Sequence, residues 1–290
     1  SHLSDLIMQN FFIPLFDKDN KVYRVLVIGH DITEISKTHE QLKQLNSELE
    51  KSNLNLEQFA FIASHDLQEP LRKIQTFSQL LERDLDNKES IKRHLSKIIS
   101  SAGRMTDLIK AVLNYSRLSN EKGDYEEVDL KQVLDSVTSD LELKIIEKEA
   151  VINAGDLPVI YGNPLQLTQL FLNLISNSIK FSEKKPEISI SSVIIDKREA
   201  IAIDGFNYNG TCVELIFKDN GIGFEQHYAE KIFTVFQRLH GKQDYPGTGI
   251  GLALCKKIVD NHDGQISVKS APGKGTEFKI LLPANLSTKH

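Results

Sequence analysis

Between residues 35 and 81 the apolar positions recur at intervals of three and four: Ile35, Thr38, Leu42, Leu45, Leu49, Ser52, Leu56, Phe59, Ala63, Leu67, Pro70, Ile74, Phe77 and Leu81, with Glu, Lys and Gln between them. A stripe this narrow is too thin to face a globular core. Sustained over about four heptads it is the seam of a coiled coil, so the chain is expected to pair with a second copy of itself. Two successive four-residue steps, 59 to 63 and 63 to 67, break heptad order. Such a stutter locally unwinds a supercoil, and this one surrounds His65. After the polar stretch from Asp84 to Ser90 a second seam runs through Ile91, Leu95, Ile98, Ala102, Met105, Ile109 and Val112. Two long amphipathic helices joined by a short connection predict an antiparallel hairpin, and two hairpins complete a four-helix bundle.

The seams account for less than half of the 290 residues, and a chain of this length exceeds one domain of ~100 to 200 residues. Its 35 Lys and Arg against 40 Asp and Glu leave a net charge of −5, without the basic face that nucleic acid requires, so no nucleic-acid partner is expected. Cys212 and Cys255 are far apart and show neither disulfide-framework nor zinc-ligand spacing, which fits a reducing cytoplasm. No apolar run approaches the ~18 residues of a membrane helix, so any membrane association is expected to come through regions outside this sequence. The chain opens on Ser1-His2-Leu3 with no charged-then-apolar leader and is expected to be part of a longer protein.

Ahead of the coil, Phe11 to Phe16 and Lys21 to Ile28 flank the turn Asp17-Lys18-Asp19-Asn20 and predict two strands. Two strands alone are marginal in water, so they are expected to be the tail of a larger domain. Beyond the linker-like segment Ser119 to Tyr125 the pattern becomes mixed. It predicts a helix from Leu130 to about Lys148, short strands near Val151 and Val159, and a helix to Phe181 with Asn163 as its cap and Pro164 in its first turn. Strands at about 187–195 and 212–218, a glycine-rich stretch over 219–251, a helix to about 262 and strands at 265–270 and 276–282 follow, giving an α+β layer.

Chemistry-bearing residues concentrate in this last part. On the helix ending at Phe181, Leu167, Leu170, Phe171, Leu174 and Ile175 form a buried stripe, while Asn173 and Asn177 stand four apart on another face with Lys180 three residues on. Asp219-Asn220-Gly221-Ile222-Gly223 ends a strand with a carboxylate and a backbone able to adopt positive φ. Gly247-Thr248-Gly249-Ile250-Gly251-Leu252 precedes a helix whose free N–H groups suit a phosphate, and Gly273-Lys274-Gly275-Thr276 forms a third turn. Taken singly, each has an ordinary explanation as a cap, a hairpin turn or a solvated pair.

Taken in order, the elements resemble the N, G1, F, G2 and G3 boxes of the ATP-binding domain of sensor histidine kinases, a relative of the gyrase B and MutL ATPases. The resemblance runs through Asn173 to Phe181, Asp219 to Gly223, Phe233-Thr234-Val235-Phe236, Gly247 to Leu252 and Gly273 to Phe278. It implies an α/β sandwich of the Bergerat type over residues 125–290 that binds ATP through Asn173, Asn177, Lys180, Phe181, Asp219, Gly221, Gly223, Phe233, Arg238, Gly247, Thr248, Gly249, Gly251, Leu252 and Thr276. Asn177 would be the Mg²⁺ ligand, Lys180 a phosphate contact, Phe181 the aromatic against adenine and Asp219 the acceptor for its amino group. The segment between Phe236 and Gly247 looks like the mobile ATP lid, where Arg238, His240 and Lys242 could approach the phosphates.

Upstream, Phe61-Ile62-Ala63-Ser64-His65-Asp66-Leu67-Gln68-Glu69-Pro70-Leu71-Arg72 resembles the H box of the same kinases. That makes His65 the phosphoacceptor within a dimerisation and phosphotransfer domain over 59–120. Independently, His65 lies two positions from both Ala63 and Leu67 of the seam, about 200° around the helix, so it should face solvent. A neutral imidazole is nucleophilic near neutral pH, and Asp66 can take the Nδ1 proton as general base. An aspartate on a response-regulator receiver domain would then accept the phosphoryl group. A gyrase-type ATPase is disfavoured because Asn173 occupies the position of that family's water-activating glutamate. A nucleotide-binding scaffold without transfer is disfavoured by the intact His65-Asp66 pair. Kinases of this group that also dephosphorylate their partner commonly carry Thr or Asn where this chain has Glu69, which predicts weak phosphatase activity. Asp17 to Glu34, with Asp31-Ile32-Thr33, resembles the end of a PAS sensor domain, making 1–34 its final strands and 35–58 a signalling coil.

Overall fold

The computed structural model describes residues 6–16, 18–83, 87–120, 124–195, 210–239, 245 and 247–284; within helices the side chains of 48, 51–65 and 117–120 lie outside that description. The chain divides into two units, Ser1–Ile62 and Ala63–His290.

In the first unit, β1 (Met8–Phe16) pairs antiparallel with β2 (Val22–Asp31), Phe12 opposite Val27 and Ile13 opposite Leu26. Apolar residues occupy both faces of this ribbon, and every described residue in it is exposed, Phe12 at 67%. The strand end is stitched to the helix that follows: Asp31 Oδ1 accepts from the Thr33 backbone N–H at 2.9 Å and from Thr33 Oγ1 at 2.6 Å, and Thr33 Oγ1 accepts from the Ile7 N–H at 2.9 Å. Helix α1 (Thr33–Arg83) begins in this unit and contains the predicted seam, of which Ile35, Leu42, Leu45 and Leu49 are exposed.

In the second unit, Asn87 caps helix α2 (Lys88–Asn120), its Oδ1 accepting from Glu89 and Ser90 N–H, both at 3.1 Å. The predicted α1 positions Leu67, Pro70, Ile74, Phe77 and Leu81 are all at least partly covered. On α2 the covered positions include Ile91, Ile98, Met105 and Val112 of the expected seam, while at its other three positions the covered residue is the one before, His94, Ser101 and Leu108. Leu95 and Ile109 of that seam are exposed instead, and with Ile99 and Leu113 they form a second apolar stripe. A bundle helix faces two neighbours, and one chain covers only one of those faces. Phe77 on α1 meets His94 on α2 with ring centroids 5.8 Å apart.

The remainder is a two-layer sandwich. A five-stranded sheet runs in the order β4 (Val151–Ala154), β6 (Glu187–Ile195), β7 (Cys212–Asp219), β9 (Thr276–Pro283), β8 (Gln265–Ser270); β4 and β6 are parallel and the other pairs antiparallel. Alternating Ile188, Ile190, Leu215, Phe217, Phe278 and Ile280 turn one face inward beneath α3 (Leu130–Asp140), α5 (Pro164–Lys180) and α6 (Gly251–Asn261). The Phe171 ring of α5 packs edge-on against Phe217 at 4.9 Å. Asn163 caps α5 with Oδ1 accepting from Gln166 N–H at 3.0 Å, as its sequence predicts.

Two expectations are corrected. The helix predicted over 130–148 is broken at Leu141 (φ −97°, ψ 3°) into α3 and α4 (Glu142–Lys148), and the left-handed Glu149 ends the latter. The apolar spacing continues through the break without Gly or Pro, so periodicity alone reads one helix. A short strand β3 (Glu126–Asp129), pairing with β5 (Val159–Gly162), was not anticipated, because among Glu-Glu-Val-Asp only Val128 is buried.

Candidate active site

The C-terminal turns of α5, the end of β7 and the N-terminus of α6 enclose a cleft of 590 Å³. At its floor is Asp219. Its Oδ1 accepts from Gly221 N–H at 2.9 Å and Thr276 N–H at 3.1 Å, and its Oδ2 from Ser178 Oγ at 3.1 Å. Burial pushes this carboxyl above the usual Asp range, and those three hydrogen bonds oppose the shift. The glycine turns exist for close approach. A Cβ on Gly275 (φ +80°) would land on the Asp219 carbonyl, and one on Gly223 (φ +61°) on that of Ala271.

Phe181 and Lys180 end α5 and line the same cleft. Lys180 Nζ lies 4.4 Å from the Phe181 ring centroid, and the Phe181 carbonyl accepts from Ile222 N–H at 2.9 Å, joining this wall to the Asp219 turn. Burial, and then the charge of Arg238, lower the Lys180 ammonium to about 8. Arg238 donates from Nη1 to the Gly247 carbonyl at 3.0 Å and from Nη2 to the Tyr245 carbonyl at 2.6 Å. Helix α6 starts at Gly251 without a side-chain cap, and its first residues, Gly251 and Leu252, line the cleft, where a helix N-terminus suits an anion. The cleft therefore combines a buried carboxylate and an aromatic ring, suited to an amine-bearing flat ring, with cations suited to phosphate.

Of the predicted nucleotide-binding residues, Asn173, Asn177, Lys180, Phe181, Asp219, Gly221, Gly223, Arg238, Gly247, Thr248, Gly249, Gly251, Leu252 and Thr276 line the cleft. Phe233 does not line it; its ring packs on Phe278 at 6.4 Å, supporting the wall from behind. Asn173 Oδ1 accepts from Gln169 Nε2 at 3.2 Å, and its Nδ2 is buried. Its amide lies by the fully buried Cys255, whose thiol burial pushes up to about 12, opposed by that amide. Asn177 also lines the cleft, with its Nδ2 3.9 Å from where a Cβ on Gly251 would sit, and no hydrogen bond between described residues engages its side chain. Its amide oxygen is a hard, neutral donor that fits a Mg²⁺ ligand.

Sequence reading missed Ser178, Phe278 and Tyr245, and also Lys144 and Lys148 of α4, all of which line the cleft. Ser178 is one residue beyond Asn177 on the buried side of α5, where a hydroxyl reads as packing; only its bond to Asp219 reveals the role. His65 lies on α1, with its side chain outside the described residues, so the expectation that it faces solvent falls there too. His240 and Lys242 are likewise outside them. Glu69, one turn beyond His65, pairs with Lys73 at 2.8 Å.

Comparison with known proteins agrees with this geometry. Residues 162–286 match the family described as histidine kinase-, DNA gyrase B-, and HSP90-like ATPase, which defines the class of the sandwich as an ATP-binding domain. Residues 55–121 match the His Kinase A (phospho-acceptor) domain. Phytochrome-like protein Cph1 of Synechocystis sp. is 38% identical over 247 residues, covering 84% of this chain and 31% of that protein. Cyanobacterial phytochrome A of Nostoc sp. is 37% identical over 251 residues, covering 84% and 30%. The chain thus spans about a third of the length of these relatives. Among solved structures, histidine kinase ThkA in complex with response regulator protein TrrA superposes with a TM-score of 0.61 at 22% identity over 95% of this chain and 74% of that one, a likeness of fold. With the phospho-acceptor and ATPase domains in tandem, the chain belongs to the sensor histidine kinases. No described helix is long and apolar enough to cross a membrane.

Proposed function

We propose that this chain is the catalytic core of a sensor histidine kinase that binds ATP with Mg²⁺, transfers the γ-phosphoryl group to His65 and passes it to an aspartate of a response-regulator receiver domain. The observation that carries the reading is the buried Asp219 carboxylate, fixed by three donors in a cleft that also holds Phe181, Lys180 and Arg238, on a chain that also bears the phospho-acceptor helix. Asp219 accepts the adenine amino group while Phe181 lies against the ring, and Lys180, Arg238 and the α6 N-terminus receive the phosphates. Asn177 is the residue that would hold Mg²⁺, which supplies charge neutralisation across the triphosphate.

In the transfer, the His65 Nε2 lone pair forms the P–N bond as the bond from the γ-phosphorus to the β–γ bridging oxygen breaks, and ADP leaves with that electron pair. The Nδ1 proton moves to Asp66. The receiver carboxylate then attacks the phosphorus, and the P–N bond returns its electrons to the imidazole. Asn173, an amide that lines the cleft and is held by Gln169, supports transfer over hydrolysis, since a neutral amide is no base toward water. The exposed stripe Leu95, Ile99, Ile109 and Leu113 supports a homodimer closing a four-helix bundle over 59–120. The exposed seam from Ile35 to Leu49 supports a signalling coil over 35–58, and the two-faced apolar ribbon supports 1–34 as the end of a PAS sensor domain. Glu69, lacking an amide or hydroxyl to orient water, keeps dephosphorylation of the receiver weak.

The test is Mg²⁺-dependent labelling with ATP carrying radiolabel at either the α or the γ position. Label retained on protein from the γ position alone, and lost to an added receiver domain, is expected. Release of γ-label as free phosphate with none on protein would favour an ATPase.

A further inference from the structure

Tyr245 lies against Phe181 in the cleft with ring centroids 5.0 Å apart and planes tilted by 46°. A flat base held between two aromatic rings needs a van der Waals contact of about 3.5 Å on each side, hence about 7 Å between the rings. The Phe181–Tyr245 pair is therefore closed, with no room for a third ring between them. Its position is fixed through the backbone: one guanidinium fork, that of Arg238, holds the carbonyls of Tyr245 at 2.6 Å and Gly247 at 3.0 Å. Lys180 Nζ sits 4.4 Å from the same Phe181 ring, so Phe181 is covered by a cation and by an aromatic. A base replaces the second like for like.

We propose that Tyr245 is a built-in occupant of the base-stacking surface of Phe181, and that a nucleotide enters only by displacing it. The inference rests on the nucleotide reading of the cleft and adds a self-competition to it. Affinity is reduced by the fraction of sites in which the ring already covers Phe181. An aromatic pair is worth enough that removing it should tighten ATP binding by about 2- to 12-fold.

The experiment measures ATP dissociation constants by calorimetry for the full chain and for Tyr245→Ala and Tyr245→Phe. Tighter binding in Tyr245→Ala, with Tyr245→Phe unchanged because it keeps the ring, is expected. Binding that is unchanged or weaker in Tyr245→Ala would overturn the proposal and make the ring a wall of the site instead. The sequence contains no tryptophan, so Tyr245→Trp places a single emitter on Phe181. Its emission should move to longer wavelength as ATP expels it into water, and emission unmoved or moved to shorter wavelength at saturating ATP would overturn displacement. Wild-type binding and its loss in Asp219→Asn test the nucleotide reading separately. Wild-type chain that binds no ATP, with Tyr245→Ala equally inert, would remove both that reading and the inference.

Discussion

Replacing Asp219 by Asn separates what this residue does for the fold from what it does for the ligand. Asn is nearly isosteric. Its Oδ1 can still accept from the Gly221 and Thr276 N–H groups at 2.9 and 3.1 Å, and its Nδ2 can donate to Ser178 Oγ, now at 3.1 Å from Oδ2. Burial raises the carboxyl pKa, so any stabilisation linked to this group is present below the unfolded value of ~3.9 and lost as pH rises through the folded one. At neutral pH the buried charge is a cost, and Asp219→Asn should hold or raise the melting temperature. The ligand instead loses an acceptor and meets a donor. A hydrogen bond to a charged group contributes about 1.5 to 3 kcal/mol, which corresponds to a loss of roughly 10- to 150-fold in ATP affinity. Calorimetric titration and thermal unfolding of the same preparation check both halves. ATP affinity within about threefold of wild type, or a melting temperature lower by more than about 5 °C, would refute the assignment.

Three further outcomes follow from the same geometry. Because Lys180 is lowered to about 8 and a polyanion favours the ammonium, ATP binding should be flat below neutrality, weaken above about pH 8 and take up protons there; Lys180→Arg should stay flat through pH 9 in calorimetry. Gly275→Ala must strain a φ of +80° and drive a Cβ into the Asp219 carbonyl, so it should destabilise by roughly 1–3 kcal/mol in denaturant unfolding and weaken ATP binding with it. His262 is buried and neutral, its Nε2 accepting from Asn163 N–H at 3.0 Å and its Nδ1 donating to the Ile258 carbonyl at 2.8 Å. Burial lowers its pKa against the opposing Ile258 bond and the Asp263 charge. Its contribution is therefore present above ~6.5 and lost as pH falls through the lower folded value, and His262→Gln should flatten that part of the melting-temperature profile.

The glycine turns were legible because each marks a backbone demand that other residues meet poorly, and their order between a capped helix and a strand end left few folds open. Asn163-Pro164 and the stripe from Leu167 to Ile175 fixed α5 in the same way, through a local cap and a local period. What escaped depends on tertiary company. Ser178 and Tyr245 acquire their roles from Asp219 and Phe181, which are distant in sequence or brought close only by the fold. Phe233 sits inside a recognisable box but faces Phe278, since a motif records a position and not a direction. The offset on α2 arose because Ile91, Ile98, Met105 and Val112 fit either of two overlapping apolar stripes, and only packing against α1 separates them.

The central claim is that His65 receives the γ-phosphoryl group. The direct measurement is incubation with γ-labelled ATP and Mg²⁺, comparing wild type with His65→Gln, followed by acid and base treatment of the labelled protein. Wild-type label that is acid-labile and base-stable, and absent from His65→Gln, is the expected result. Label of the same lability persisting in His65→Gln would place the acceptor elsewhere and contradict the account.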